Sequence, residues 1–176
     1  MIEPDIDFQP LRLSDLPRMH KWRNTSFVMR WYGGEPCSYE DIVARYAPRV
    51  RGETPTRGFL IRQGGEPIGY IQTYRIVDHP DYARHVAVED GAAGLDLFIG
   101  EAGYIHRGLG ALVIRQFLRE VVFADPAIAC CVIGPEANNR AAIRAYEKAG
   151  FQYLKTVRMP GEPQPEYLMW IEREEV

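Results

Sequence analysis

The segment Gly94-Leu95-Asp96-Leu97-Phe98-Ile99-Gly100-Glu101-Ala102-Gly103-Tyr104-Ile105-His106-Arg107-Gly108-Leu109-Gly110-Ala111 constrains this chain more than any other. Its first part is an apolar run broken by one acid, Asp96, and reads as a buried strand. Its second part is a glycine-bearing loop that delivers His106-Arg107-Gly108-Leu109-Gly110 to the start of a helix. A helix N-terminus leaves backbone N–H groups without partners, and these attract anions. Glycines let a phosphate approach that backbone closely. The segment therefore sets an acid near a candidate phosphate cradle, as a phosphate-bearing cofactor beside a proton-transfer site requires.

Bulk properties narrow the rest. A length of 176 residues suits a single domain over 1–176 with a sizeable core. A net charge of −3 disfavours general nucleic-acid binding, which needs a basic face. The cysteines, Cys37, Cys130 and Cys131, offer neither a disulfide framework nor metal-ligand spacing, and their odd number fits a reducing compartment. Met1 to Asp7 carries acids and no basic residue, unlike a signal peptide, and no run approaches the ~20 apolar residues that span a membrane. The expectation is a cytoplasmic protein with no metal, no nucleic acid and no membrane partner.

Along the chain, Phe8 to Leu13 reads as a strand, and Ser14 as the cap of a helix through Asp15-Leu16-Pro17. Val28 to Gly34 reads as a loop or broken helix, and Ser38-Tyr39-Glu40-Asp41 opens a second helix with Ile42, Tyr46 and Val50 as its apolar stripe. Gly58 to Gln63 and Pro67 to Ile76 flank Gly64-Gly65 as a hairpin. Val77 to Gly91 reads as a long polar loop. After the central segment, Leu109, Val113, Phe117 and Val121 form the packed face of a helix stopped by Asp125-Pro126. Ala127 to Ile133 reads as an apolar strand, Arg140 to Ala149 as a helix closed by Gly150, and Phe151 to Arg158 and Glu166 to Glu172 as final strands. Strands interleaved with helices indicate one α+β or α/β domain.

The glycine pattern around Gly108 and Gly110 is no dinucleotide fingerprint, since the third glycine and the short βαβ unit are missing, and no P-loop, since no Gly-Lys-Ser/Thr follows. Small-residue packing of a helix on a sheet explains it as simply. On the last helix, Asn139, Ala142, Tyr146 and Ala149 fall on one face, which makes either a shallow polar groove or a packing face with a core tyrosine. Cys130 and Cys131, in an apolar strand without a His-Asp partner, read as core residues rather than nucleophiles.

The order strand, acid, loop, Arg107-Gly108-Leu109-Gly110-Ala111, then Asn139-x-x-Ala142-x-x-x-Tyr146-x-Lys148-x-Gly150-Phe151, resembles the GNAT superfamily of acetyl-CoA-dependent N-acyltransferases. Trp31-Tyr32-Gly33-Gly34-Glu35, Gly65 to Gln72 and Gly94-Leu95-Asp96 extend the likeness to the bacterial aminoglycoside 6'-N-acetyltransferases over nearly the whole chain. The resemblance implies an α+β fold. In it a mixed, mostly antiparallel twisted sheet is flanked by helices, and splayed central strands hold acetyl-CoA. Two positions depart from the pattern. Ile105 stands where an Arg or Gln usually precedes the cradle, and Tyr82, Ala83 and Arg84 replace an aromatic pair.

Acetyl transfer to an amine needs the ammonium, with pKa ~10, to lose a proton, donors for the oxyanion, and a proton for the leaving thiolate. The resemblance assigns Asp96 to the amine, as general base or as orienting charge, and Tyr146 to the thioester sulfur. It assigns the cofactor to Leu97, Phe98, Ile99, Tyr104, His106, Arg107, Gly108, Leu109, Gly110, Ala111, Asn139, Ala142, Tyr146 and Lys148. A cationic aminosugar calls for a carboxylate-lined pocket. Asp81, Glu89, Asp90 and Asp96 supply it, with Glu136 and Glu166 as additions. Trp31 and Tyr32 either wall that pocket or pack the core. Two alternatives stand: a GNAT enzyme for another amine (a protein N-terminus, siderophore precursor or polyamine), and a non-catalytic acyl-CoA sensor. The implied assembly is a monomer or weak homodimer.

Overall fold

In the computed structural model, which describes residues 4–176, the Gly-Gly hairpin becomes β2 (Thr56–Gln63) and β3 (Glu66–Arg75). Gly64 and Gly65 join them at φ 58° and 82°, the left-handed geometry that matches strand twist. β3 and β4 (Ala92–Ile99) each run through both of the compact units into which the chain folds. The first unit is Met1–Gln72 with Leu97–Arg107, and the second is Thr73–Asp96 with Gly108–Val176.

In the first unit, β1 (Ile6–Pro10) pairs antiparallel with β2, from Ile6 opposite Gln63 to Pro10 opposite Phe59. Helices α1 (Leu16–Arg23), α2 (Ser26–Met29) and α3 (Tyr39–Val50) complete it. α3 starts as expected from a capping box: the Ser38 hydroxyl accepts from the Asp41 N–H, and the Asp41 carboxylate accepts from the Ser38 N–H. The Ser38 N–H first, and then the Ser38 hydroxyl, which also donates to Asp41 Oδ2 at 2.8 Å, hold the Asp41 carboxyl below its ordinary range. The core forms around Trp22, Met19, Ile42 and Tyr46, all essentially without solvent contact. Phe98 takes edge contacts from Trp22 and Tyr32, with ring centroids 6.3 and 5.5 Å away, and lies tilted 5.8 Å from Tyr70. Trp22 is fixed in the core because its indole N–H donates to Glu101 Oε1 at 2.7 Å. α1 departs from expectation at its start. A single 3₁₀ turn, Leu13–Asp15, precedes it, closed by the Asp15 carboxylate accepting from the Arg12 N–H at 2.9 Å, and the residue at the N-cap of α1 is Asp15, with no side-chain capping bond, not Ser14.

In the second unit, β4 runs parallel to β5 (Cys130–Ile133), pairing Ala92, Ala93 and Gly94 with Cys130, Cys131 and Val132. β5 pairs antiparallel with β7 (Glu166–Glu172), which pairs antiparallel with β6 (Gln152–Val157). The sheet order is β1-β2-β3-β4-β5-β7-β6, seven strands of mixed direction. Helix α5 (Leu109–Phe117) buries Val113, Ile114 and Phe117 completely, and the chain continues in a π turn, Leu118–Val122. α6 (Arg140–Ala149) begins at Asn139, whose Oδ1 accepts from the Ala142 N–H, and ends at Gly150 with φ 106°. Two expectations need correction here. β5 begins at Cys130 rather than Ala127, because Ala127 lies in a turn, the Ile128 carbonyl accepts from the Arg173 guanidinium and the Ala129 N–H donates to the Gly91 carbonyl. Val77 to Gly91 is not one loop: a 3₁₀ turn, Ile76–Asp78, leads into α4 (Pro80–Val86). Pro80 is preset for the first helical turn, Val86 and Ile76 enter a shared core with Leu168, and Ala87 closes the helix at φ 48°.

Tyr74 lies across β4 at a glycine. A Cβ at Gly94 would come 2.3 to 2.7 Å from the Tyr74 ring, which also packs edge-on against His79 at 4.7 Å and Tyr82 at 6.3 Å. The Thr73 hydroxyl donates to the Gly94 carbonyl at 2.9 Å on the same strand pair. Gly94→Ala is therefore expected to destabilise the fold by about 1–3 kcal/mol, as overpacking does in a close-packed interior. Urea denaturation measures this, and an unchanged midpoint would mean that the ring moves aside freely.

Candidate active site

The parallel pairing of β4 with β5 stops at Gly94, two residues before Asp96. The side chains gathered around Asp96 in the second unit come from four other elements. Tyr74 stands on β3, Tyr82 on α4, Tyr146 on α6 and Glu166 on β7. Burial first, then the charge of Asp96, holds the Tyr74 and Tyr146 hydroxyls well above the ordinary phenol range, so both keep their protons. Tyr82 is raised too, by burial and then by Glu166 and Asp96. Glu166 is pushed up to about 7, first by burial and second by Asp96. Tyr82 donates its hydroxyl to Glu166 Oε2 at 3.4 Å. This is one acid and one half-neutral carboxyl among protonated phenols, an arrangement able to seat a cation and to move a proton near neutral pH.

The two proposed catalytic residues therefore stand in one electrostatic neighbourhood. Tyr146 packs against Phe151 at 6.3 Å and is partly buried. Of the expected pocket acids, Glu136 lies opposite Glu166 in a lone antiparallel bridge, on the same side of the sheet. Asp81 does not join them. It is exposed on α4 and paired with Arg84. Glu89 and Asp90 are exposed as well, and the acids whose charges raise Tyr74, Tyr82, Tyr146 and Glu166 are Asp96, Glu166 and Glu162. Glu89 acts instead on Cys130, whose thiol is raised first by burial. Cys131 is fully buried and its thiol is held well above the usual range. In the first unit, Tyr32 packs on Phe98 and beneath the Arg23 guanidinium at 4.2 Å, while Trp31 stacks with Arg30 at 4.7 Å.

Tyr74 and Tyr82 escaped the sequence reading as site residues. The signal for Tyr74 was its place in the β3 alternation, two residues from Gln72 and on the same face. Tyr82 was visible only as a break in an expected aromatic pattern.

The start of α5 is open. Gly108, its N-cap, has φ 75° and no side chain to cap the first N–H groups, and a Cβ there would meet nothing within 4 Å. His106 precedes it at φ 60°, exposed, and the Arg107 guanidinium lies over the Tyr104 ring at 5.8 Å. A Cβ at Gly110 would sit 3.6 Å from the Ala145 Cβ, ordinary contact across the α5–α6 pair. The free N–H groups of Leu109, Gly110 and Ala111 fit an anionic pyrophosphate. Asn139 spends its side-chain oxygen on the α6 cap, and Lys148 is exposed in the last turn of α6. Among the described residues no group of three or more His, Cys, Asp or Glu is arranged to hold a metal, and no helix is long and apolar enough to cross a membrane.

Residues 12–159 match the family model described as an acetyltransferase (GNAT) domain. The chain belongs to the GNAT acetyltransferases. Among its relatives, the aminoglycoside N(6')-acetyltransferases type 1 of Klebsiella pneumoniae and Serratia marcescens are each 32% identical over 151 residues, 85% of this chain and 75% of theirs. Among solved structures, AAC(6')-Ib in complex with ribostamycin and coenzyme A superposes with a TM-score of 0.87 at 30% identity, covering 97% of this chain and 95% of that one. As a GNAT acetyltransferase, the chain carries the expected α+β sheet, and the short β4–β5 pairing fits the splayed central strands of that fold.

Proposed function

We propose that this GNAT acetyltransferase transfers acetyl from acetyl-CoA to the 6'-amine of aminoglycosides in a ternary complex, and so confers resistance to them. The observation that carries the reading is the shared surroundings of Asp96 and Tyr146, in a chain that resembles aminoglycoside N(6')-acetyltransferases over most of its length. Acetyl-CoA brings the activated acyl group as a thioester. In the second unit the N–H groups of Gly108, Leu109, Gly110 and Ala111 bind its pyrophosphate, aided by Ala142, Asn139 and Lys148 on α6. In the first unit the backbone of Leu97, Phe98 and Ile99 lines the pantetheine arm, and Tyr104, His106 and Arg107 follow it. Asp96 supplies the charge that draws in the substrate ammonium. Tyr146 keeps its proton and offers it to the departing sulfur. Glu136 adds negative charge for the remaining amines of the aminosugar, while Asp81, Glu89 and Asp90 act at most as an outer field. The enzyme works in the cytoplasm, as a monomer or weak homodimer, without nucleic acid.

Release of coenzyme A from acetyl-CoA in the presence of kanamycin, tobramycin, spermidine or peptides tests this reading. Turnover is expected with the two aminoglycosides, and expression in a susceptible bacterium should raise their inhibitory concentrations. Turnover with spermidine or peptides alone would sink the aminoglycoside assignment, and turnover with none of them would favour an acyl-CoA sensor.

A further inference from the structure

Glu166 opens β7 beside the chain that leaves β5. The Tyr167 N–H donates to the Pro135 carbonyl at 2.8 Å and the Ala137 N–H to the Pro165 carbonyl at 2.9 Å, so the backbone at Glu166 is held on both sides. Its carboxylate lies over Gly134. A Cβ at 134 would sit 2.6 Å from Glu166 Oε2 and 3.3 Å from the Tyr82 hydroxyl. The glycine therefore leaves room for this carboxyl and for its bond to Tyr82. The placement is unfavourable for a merely structural side chain. It takes an acid partly out of water and sets it near Asp96, a second acid, with only a long hydrogen bond in return. A cation between the two carboxyls offsets both costs.

We propose that Glu166 is the second carboxylate of the acceptor-amine site: with Asp96 it binds the acceptor's ammonium, and it takes the proton that the amine must lose. This rests on the acetyl-transfer reading above. In the step, an N–H bond of the ammonium breaks and an O–H bond forms on Glu166. The nitrogen keeps its electron pair for the thioester carbonyl, and Glu166 afterwards yields the proton to water. Tyr82 is a positioning residue that fixes the carboxyl. The groups facing Glu166 are Asp96 on β4, Tyr82 on α4, Tyr74 on β3, Glu136 across the bridge and Glu162 in the β6–β7 connection. Burial, Asp96 and Glu162 raise the carboxyl, and the Tyr82 bond lowers it, leaving it at about 7, where an acceptor changes state across the working range.

The test has a kinetic arm and an equilibrium arm. With kanamycin, kcat/KM of the native enzyme should rise with pH through a limb near 7. Glu166→Gln should remove that limb and lower kcat/KM by about 10²-fold, Glu166→Asp should restore part of the rate, and Tyr82→Phe should move the limb to higher pH. A limb and rate unchanged in Glu166→Gln would overturn the proposal. In the second arm, the Glu166 carboxyl of the native protein is titrated by carbon-13 NMR, alone and with saturating kanamycin or spermidine. A bound ammonium should draw the titration to lower pH. A titration unmoved by both cations would overturn the proposal whatever the variants do. Movement with spermidine but neither binding nor turnover of kanamycin would keep Glu166 and sink the aminoglycoside reading.

Discussion

Asp96→Asn lowers kcat/KM for aminoglycoside acetylation by about 10³-fold while coenzyme A still binds. The size follows from what the substitution removes. An amide of the same shape keeps the packing but takes away the charge that seats the ammonium against Glu166, so the positioning of the amine is lost together with the proton transfer that depends on it, a step that contributes about 10² to 10⁴. Asp96 also acts on its neighbours. Its charge is the second cause that raises Glu166 and Tyr146, after burial. Removing it therefore draws the Glu166 carboxyl down from about 7, so any residual activity should show its acidic limb at lower pH. Steady-state kinetics with kanamycin, together with isothermal titration of coenzyme A, measures both. Full activity in the variant would remove Asp96 from the site, and lost coenzyme A binding would make it a structural residue.

Tyr146→Phe lowers kcat by about 10²-fold and leaves KM for the amine nearly unchanged. The phenol keeps its proton because its hydroxyl is withdrawn from water and lies within range of the Asp96 charge, so it is a donor and not a base at neutral pH. A thiolate leaving without a donor meets a higher barrier, while amine binding uses other groups. Tyr146 packs on Phe151, and phenylalanine preserves that contact. A rate loss equal for acetyl-CoA and for a thioester with a more acidic thiol would count against the donor role. The expected result is a smaller loss with the better leaving group.

Local signals in the sequence were enough for much of this architecture. The Gly64-Gly65 turn, the Ser38 box, the Asn139 cap and the Gly150 stop each act through their immediate neighbours, and each appears where its chemistry places it. The acid on the strand and the open start of α5 were legible for the same reason. α4 was not, because its seven residues are closed by Ala87 rather than by a glycine, and its apolar face is only Tyr82, Ala83 and Val86. The grouping of Tyr74, Tyr82, Asp96, Tyr146 and Glu166 was equally hidden. Its members lie on five elements, and their meeting depends on sheet order and on two missing side chains, at Gly94 and Gly134.

The space over Gly134 carries a consequence for how such a site can vary. It holds one carboxyl, and that carboxyl now arrives from β7. A side chain growing from position 134 would claim the same volume and expel it. The two positions are thus mutually exclusive sources of whatever occupies that spot. A larger side chain at 134 is therefore tolerated only together with a smaller one at 166, so the two positions behave as one coupled unit in any redesign of the pocket.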